Sequence, residues 1–297
     1  MKFMLRKSKF ASLSIVILVY LLAIYIGRLI TYHFFFVFDV PIAILIGDIA
    51  ATVVVFIASY ILKNSSIYDP YWSVIPIVII LELFTAYVAE PYFQLSPQLL
   101  VLIAVSLWGI RLTYNWAEGW KNLEHEDWRY IMLRKDNPKI ATFLDFSGIH
   151  LFPTLIVFLA LLPAIYLFIG NDYTITWIHG VGLLVFIISI FFETVGDNQL
   201  RKFKTENKSP QSILRTGLWK YTRHPNYFGE TLFWWSIYLL SFHANSPTWL
   251  ILGPISITGL FLFISIPMMD KHHKAKRPEY EDYIKKTSAF FPWRPRG

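Results

Sequence analysis

Eight stretches of this chain are apolar enough to lie in hydrocarbon: roughly residues 11–36, 40–62, 71–89, 97–117, 148–170, 175–197, 227–242 and 248–269. A helix needs about 20 mostly apolar residues to cross a bilayer core. No water serves the backbone there, so each segment must satisfy its own N–H and C=O groups, which a helix does. The expectation is an all-α polytopic membrane helix bundle of about eight transmembrane helices, with seven also compatible. The run at 227–242 is the short one, and a tilt or a deep start would accommodate it. Ser12 to Phe38 is too long for the apolar core of a secretory leader and lacks a small-residue cleavage site, so it reads as the first span.

Composition agrees. The 297 residues are 55% hydrophobic and only 16% charged, against roughly 25% charged in soluble domains. There is no cysteine, which excludes a disulfide framework, a thiolate metal site, and heme or iron–sulfur ligation through Cys.

The basic residues set the sidedness. All 27 Lys and Arg residues except Arg28 and Arg111 fall at the N-terminus, in the tail, or in the connections after spans two, four and six. The positive-inside rule then puts both termini and the long loops in the cytosol. The net charge of +7 is read as topology and contact with anionic lipid, not as nucleic-acid binding, and no protein partner is implied. The source membrane, bacterial plasma membrane or endoplasmic reticulum, is left open.

Ionisable groups within spans are costly and usually functional. Here they are Arg28, Asp48, Glu82, Arg111, Glu193, Asp197 and Glu230. Arg111, Glu193, Asp197 and Glu230 all lie near cytosolic span ends, as one polar pocket would require. The alternative for Asp197 is a local pair with Arg201, four residues on. Arg28 either snorkels or pairs with Asp48. Glu82 lies about 20 Å along its helix from Asp69, and either lines a cavity or bonds a neighbouring helix.

Asp69-Pro70-Tyr71-Trp72 opens the third span. A capping Asp with Pro in the first turn is the structural explanation. Trp108, Arg111, Asn115 and Trp116 share one side of span four. The charged, aromatic loop Glu126-Asp127-Trp128-Arg129-Tyr130 suits either covering a nucleotide or lying on headgroups. The segment from His272 to Arg296 is not a span and is expected to pack as a short helix. Adjacent His272 and His273 do not face one metal on a helix, and no zinc ligand set is present.

The densest signal is Gly217-Leu-Trp-Lys-Tyr221-Thr-Arg223-His224-Pro225-Asn226-Tyr227-Phe-Gly-Glu230, directly before an apolar run. Pro225 suits a first helical turn. A helix start carries unpaired N–H groups that favour anions, and Arg223 and His224 add donors. Asn226, Tyr227 and Glu230 share a face. This is a candidate site for an anionic cofactor.

That motif resembles the signature of the steroid 5-alpha-reductase-like membrane proteins, in the branch called domain of unknown function 1295. Asp69-x-x-Trp72, Trp108-x-x-Arg111-Leu112, Asp127-x-Arg129-Tyr130, Glu281-x-Tyr283 and Phe291-Pro292-Trp293 are similar to the same branch. The resemblance covers roughly residues 65–295. It divides the chain into N-terminal helices at 1–64 and a catalytic membrane domain at 65–297. The superfamily also holds sterol reductases and isoprenylcysteine carboxyl methyltransferases.

The resemblance implies a cytosol-facing pocket for NADPH. Asp197, Arg201, Tyr221, Arg223, His224, Asn226, Tyr227 and Glu230 would line it, with Arg111, His272 and Tyr280 as further contacts. It also implies reduction of a carbon–carbon double bond conjugated to a carbonyl, in a lipid or steroid-like substrate. Asp69 stands where the steroid reductases carry a Glu, and Trp108 where they carry a Tyr, so these two are the implied catalytic pair. An indole donates a hydrogen bond but passes no proton, which leaves Tyr71 and Tyr114 as the phenols available. The alternatives are a lipid or prenyl methyltransferase using S-adenosylmethionine, and a non-enzymatic lipid-binding scaffold.

Overall fold

The computed structural model describes residues 6–87, 96–170, 172, 174–207 and 209–296. Lys2, Lys208 and the last two residues of the third expected span lie outside the described residues. The chain is all-helical, with a single isolated bridge between Thr222 and Ser288 among the described residues. It divides into two compact units, Met1–Tyr173 and Thr174–Gly297.

In the first unit, α1 (Lys9–Phe34) and α2 (Val40–Leu62) form an antiparallel pair, followed by a 3-10 turn (Ser65–Tyr68), α3 (Tyr71–Tyr87) and α4 (Pro97–Gly119). A short helix, α5 (Trp128–Asp136), precedes a helical stretch that begins at Pro138 and ends as α6 (Phe152–Gly170). Helix α3 packs on α4 and α6, and α2 also reaches α6. Ser96 caps α4 by accepting from Leu99 N, with Pro97 at the first position where no N–H is missed.

The second unit has α7 (Trp177–Glu206), α8 (Pro225–Leu240), α9 (Leu252–Gly259), α10 (Ile266–Lys276) and α11 (Tyr280–Lys286). A π-helical segment, Leu260–Ser265, joins α9 to α10. Helices α7 and α8 make the most extensive contact in the unit. Gly229 permits it: a Cβ there would lie 2.6 Å from Glu193 Cγ and 2.9 Å from both Glu193 N and Ser189 O.

Among the described residues, seven helices are long and apolar enough to cross a membrane: Lys9–Phe34, Val40–Leu62, Ser65–Tyr87, Pro97–Gly119, Pro138–Gly170, Trp177–Glu206 and Thr248–Lys276. The short expected span is α8, a helix of 16 residues. That is about 24 Å at 1.5 Å per residue, short of a hydrocarbon core of roughly 30 Å.

Three readings change. The fifth span starts ten residues before the expected 148, because its polar entry finds partners on α5 and α2. Arg134 Nη1 donates to Asp145 Oδ2 at 3.0 Å, and His150 bridges Asp145 O (2.7 Å) and Ser59 Oγ (2.9 Å) through a π-helical segment at Asp145–Leu151. Arg28 pairs with Glu82 at 2.8 Å, not with Asp48, which accepts from the Tyr71 hydroxyl at 2.9 Å. His272 and His273 extend α10 and are not part of a separate tail.

Candidate functional site

In the first unit the polar centre is the turn between α2 and α3, with the loop at 120–137 fastened over it. Asn64 Nδ2 donates to Leu123 O (2.9 Å) and His125 O (3.1 Å), Ser65 N to Glu126 Oε1 (2.7 Å), and Asp127 N to Ser66 Oγ (2.7 Å). Arg134 closes the loop through Glu126 and Asp145. Asp127 caps α5 by accepting from Arg129 N at 2.9 Å, and the Arg129 side chain grips the same carboxylate through Nε (2.8 Å) and Nη2 (3.1 Å).

This anchoring brings the Tyr130 hydroxyl onto Asp69, where it donates to Oδ1. Asp69 thus takes a side-chain partner from α5, and Ser73 N and Val74 N bond to Pro70 O at the start of α3. Trp108 is fully buried and meets Trp72 edge-on at 6.4 Å. Tyr71 is buried against Asp48, and Tyr114 is largely exposed. The phenol beside Asp69 is therefore neither of these but Tyr130. Its position in the Asp127-x-Arg129-Tyr130 motif was the only sequence signal for it, since the contact spans 61 residues.

Burial, then the charge of Asp69, holds the Tyr130 phenol well above its ordinary value of 10. Burial works against the Arg129 charge, but Tyr130, Asp127 and Asp69 outweigh it and raise the guanidinium above its ordinary value. Tyr130 is thus a persistent hydrogen-bond donor and Arg129 a permanent cation. Arg111 lies half-buried on α4 of the same unit.

In the second unit, Gly217 starts the motif at φ 61°, a left-handed backbone that suits glycine. A Cβ there would meet the Gln199 side chain at 2.3 Å, and that amide accepts from Leu218 N at 2.9 Å. The chain then runs beside the C-terminal segment: Arg223 N donates to Ser288 O at 2.9 Å and Trp293 N to Tyr221 O at 3.0 Å.

Asp270 is the hub. Arg223 reaches it through Nε (3.3 Å to Oδ1) and Nη2 (2.6 Å to Oδ2), His224 Nε2 lies 3.2 Å from Oδ1, and Tyr280 OH donates to Oδ1 at 2.9 Å. Arg223 Nη1 also donates to Ile284 O and Thr287 O. Burial and the Asp270 charge push the Tyr280 phenol well above its ordinary value. Sequence reading missed Asp270. Its only signal was a carboxylate two turns before the end of the last apolar helix.

Arg223, His224 and Tyr280 are therefore brought together. The His224 ring stacks on Tyr227 (5.2 Å, 5°), which stacks on Phe261 (4.8 Å, 27°). Glu230 is buried, accepting from Trp234 Nε1 at 3.1 Å. Asn226 and Asp197 are half-buried, as is His272, which meets His273 edge-on. Arg201 and Tyr221 are exposed, with the Lys220 ammonium 5.9 Å from the Tyr221 ring.

The comparisons with known proteins agree with the motifs. The family described as "Protein of unknown function (DUF1295)" matches residues 55–287. An uncharacterized protein of Schizosaccharomyces pombe is 27% identical over 254 residues, covering 77% of this chain and 73% of that protein. Steroid 5-alpha-reductase DET2 of Arabidopsis thaliana is 29% identical over 117 residues, 39% of this chain and 42% of that reductase. No solved structure matches. With most of its length covered by the family model, the chain belongs to the DUF1295 family, and part of it is similar to a steroid 5-alpha-reductase.

Proposed function

We propose that this protein is an NADPH-dependent membrane reductase acting on a conjugated carbon–carbon double bond in a lipid or steroid-like substrate. The observation that carries the reading is the Asp69–Tyr130 pair. The reaction adds a hydride to the β-carbon and leaves negative charge on the carbonyl oxygen, where a fixed donor lowers the barrier. A phenol held protonated by burial is suited to that task; its single proton goes to Asp69 before substrate binds, and on binding it would turn to the carbonyl oxygen. Arg129 adds a nearby positive charge, 5.6 Å from the Tyr130 ring. Trp72 and buried Trp108 would serve as an apolar wall that keeps water from the carbonyl.

The residues of the second unit fit a nicotinamide nucleotide in part. Exposed Arg201, Lys220 and Tyr221 suit phosphates and a flat ring. Arg223 is committed instead to Asp270 and two carbonyls. Its role in this reading is to position the motif, and exposed Arg201 and Lys220 would meet the phosphates. NADPH, when bound, would supply the hydride; the proton that completes the reduction comes from solvent.

Binding of NADPH, NADH and S-adenosylmethionine to the detergent-purified protein, followed by calorimetry, tests this reading. NADPH binding that weakens in Arg201→Ala supports it. S-adenosylmethionine binding alone, or no nucleotide binding by a folded sample, overturns it.

A further inference from the structure

Helices α1, α2 and α3 line an open-sided cavity of about 430 Å³. Its origin is a mismatch in helix packing. Helices α1 and α2 cross closely at Gly27 and Gly47, where a Cβ on Gly47 would lie 2.6 Å from Gly27 O. Helix α3 is held by α4 and α6 and touches α1 little. A gap remains between α1 and α3, spanned by the Arg28–Glu82 ion pair.

The walls are apolar, including Ile44, Ala51, Ile75, Ile79 and Leu83. Two acids break that surface, Glu82, which is paired with Arg28, and Asp48. Asp48 lines the cavity yet is only 5% exposed. Its Oδ1 accepts from the Tyr71 hydroxyl at 2.9 Å, and the carboxyl lies on the cavity wall. A carboxyl edge that faces such a cavity gains from a donor brought by whatever occupies it. Arg28 does not supply one, because Glu82 holds it.

We propose that this cavity binds a neutral lipid alcohol, with its hydroxyl donating to Asp48 and its hydrocarbon body along α2 and α3. Apolar walls of this volume suit a molecule of roughly drug size with one polar end. A charged amine would satisfy Asp48 but loses its hydration against these walls. The site is independent of the reductase reading. None of Asp69, Trp72, Trp108 or Tyr130 lines the cavity.

The test is photolabelling of the purified full chain with diazirine-bearing hexadecanol, mapped by mass spectrometry. Labels should concentrate on Ile44, Ile75 and Ile79 rather than on exposed Leu18, Leu21 and Leu22. Unlabelled hexadecanol should compete on the order of tenfold better than hexadecane, the worth of one good hydrogen bond to a carboxyl. Asp48→Leu should remove that preference. Equal competition by alcohol and alkane, or labelling confined to the exposed residues, overturns the proposal; the competition is read on the unmodified chain, so it decides even if Asp48→Leu fails to fold.

Discussion

Arg223 and Asp270 lie 47 residues apart in sequence and meet through two nitrogens and two oxygens, the shorter contact being 2.6 Å. Both side chains are largely buried, at 7% and 15% exposure. The pair joins the start of α8 to the last turns of α10. His224 and Tyr280 share the same carboxylate.

Removing one partner of such a pair leaves a buried charge unmatched. Asp270→Asn should therefore cost about 3–5 kcal/mol of stability. Arg223→Lys should also destabilise, since an ammonium reproduces neither the fork nor the bonds to Ile284 O and Thr287 O. Thermal unfolding in detergent, read as a double-mutant cycle, would show a strong coupling between the two positions. Additive losses would mean that the pair does not act as a unit.

The same cluster sets an alkaline limit. Tyr280 and Tyr283 both have phenols raised above their ordinary value of 10, burial being the largest cause for each. A raised folded-state value means that the unfolded chain releases its protons first. Stability is then fully present below about pH 10 and falls as pH rises through the folded-state values. The melting temperature should be level from neutral pH to about 10 in this respect, then decline. Tyr280→Phe removes one of these protons, so its decline above pH 10 should be shallower. An identical slope in the variant would exclude Tyr280 as a source.

The membrane helices were legible because apolar length fixes them, from α1 through α10. What escaped was held by single long-range polar contacts. Asp270 looked like one more charge at the end of a helix, and nothing in its neighbours pointed 47 residues back to Arg223. Tyr130 belonged to a recognised motif, but its place at Asp69 depends on a loop fastened by Asn64, Ser65 and Ser66. The three serine and asparagine side chains and backbones that do this have no periodicity to read. The fifth span ran longer than its hydropathy because Arg134 and Ser59 satisfy Asp145 and His150.

Gly229 tests the packing in the second unit. The nearest atoms to an added Cβ include backbone N and O of α7, which cannot rotate away as a side chain end would. Gly229→Ala must push α8 off α7, at a cost of roughly 1–3 kcal/mol. Gly119, where a Cβ meets nothing within 4 Å, supplies the control: Gly119→Ala should be neutral or slightly stabilising in the last turn of α4. Equal melting points for the two variants would mean that the close approach at Gly229 is not required.

Tyr130→Phe separates chemistry from structure. The substitution removes one oxygen from a half-buried ring, and Arg129, Asp127 and the loop contacts do not depend on that oxygen. The Asp69 carboxyl loses its donor, a loss of about 1–3 kcal/mol in stability. If the phenol stabilises developing charge on a substrate carbonyl, turnover of an enone lipid should fall by on the order of 100-fold or more. Nucleotide affinity should stay unchanged, because Tyr130 is not among the groups assigned to the nucleotide. Asp69→Asn should lower turnover less than Tyr130→Phe, since an amide oxygen still holds the phenol in place before substrate binds and the proton that turns to the carbonyl is kept. A Tyr130→Phe variant that is folded, binds nucleotide and turns over at the unmodified rate would remove Tyr130 from the chemistry and return Asp69 to a purely structural role at the start of α3.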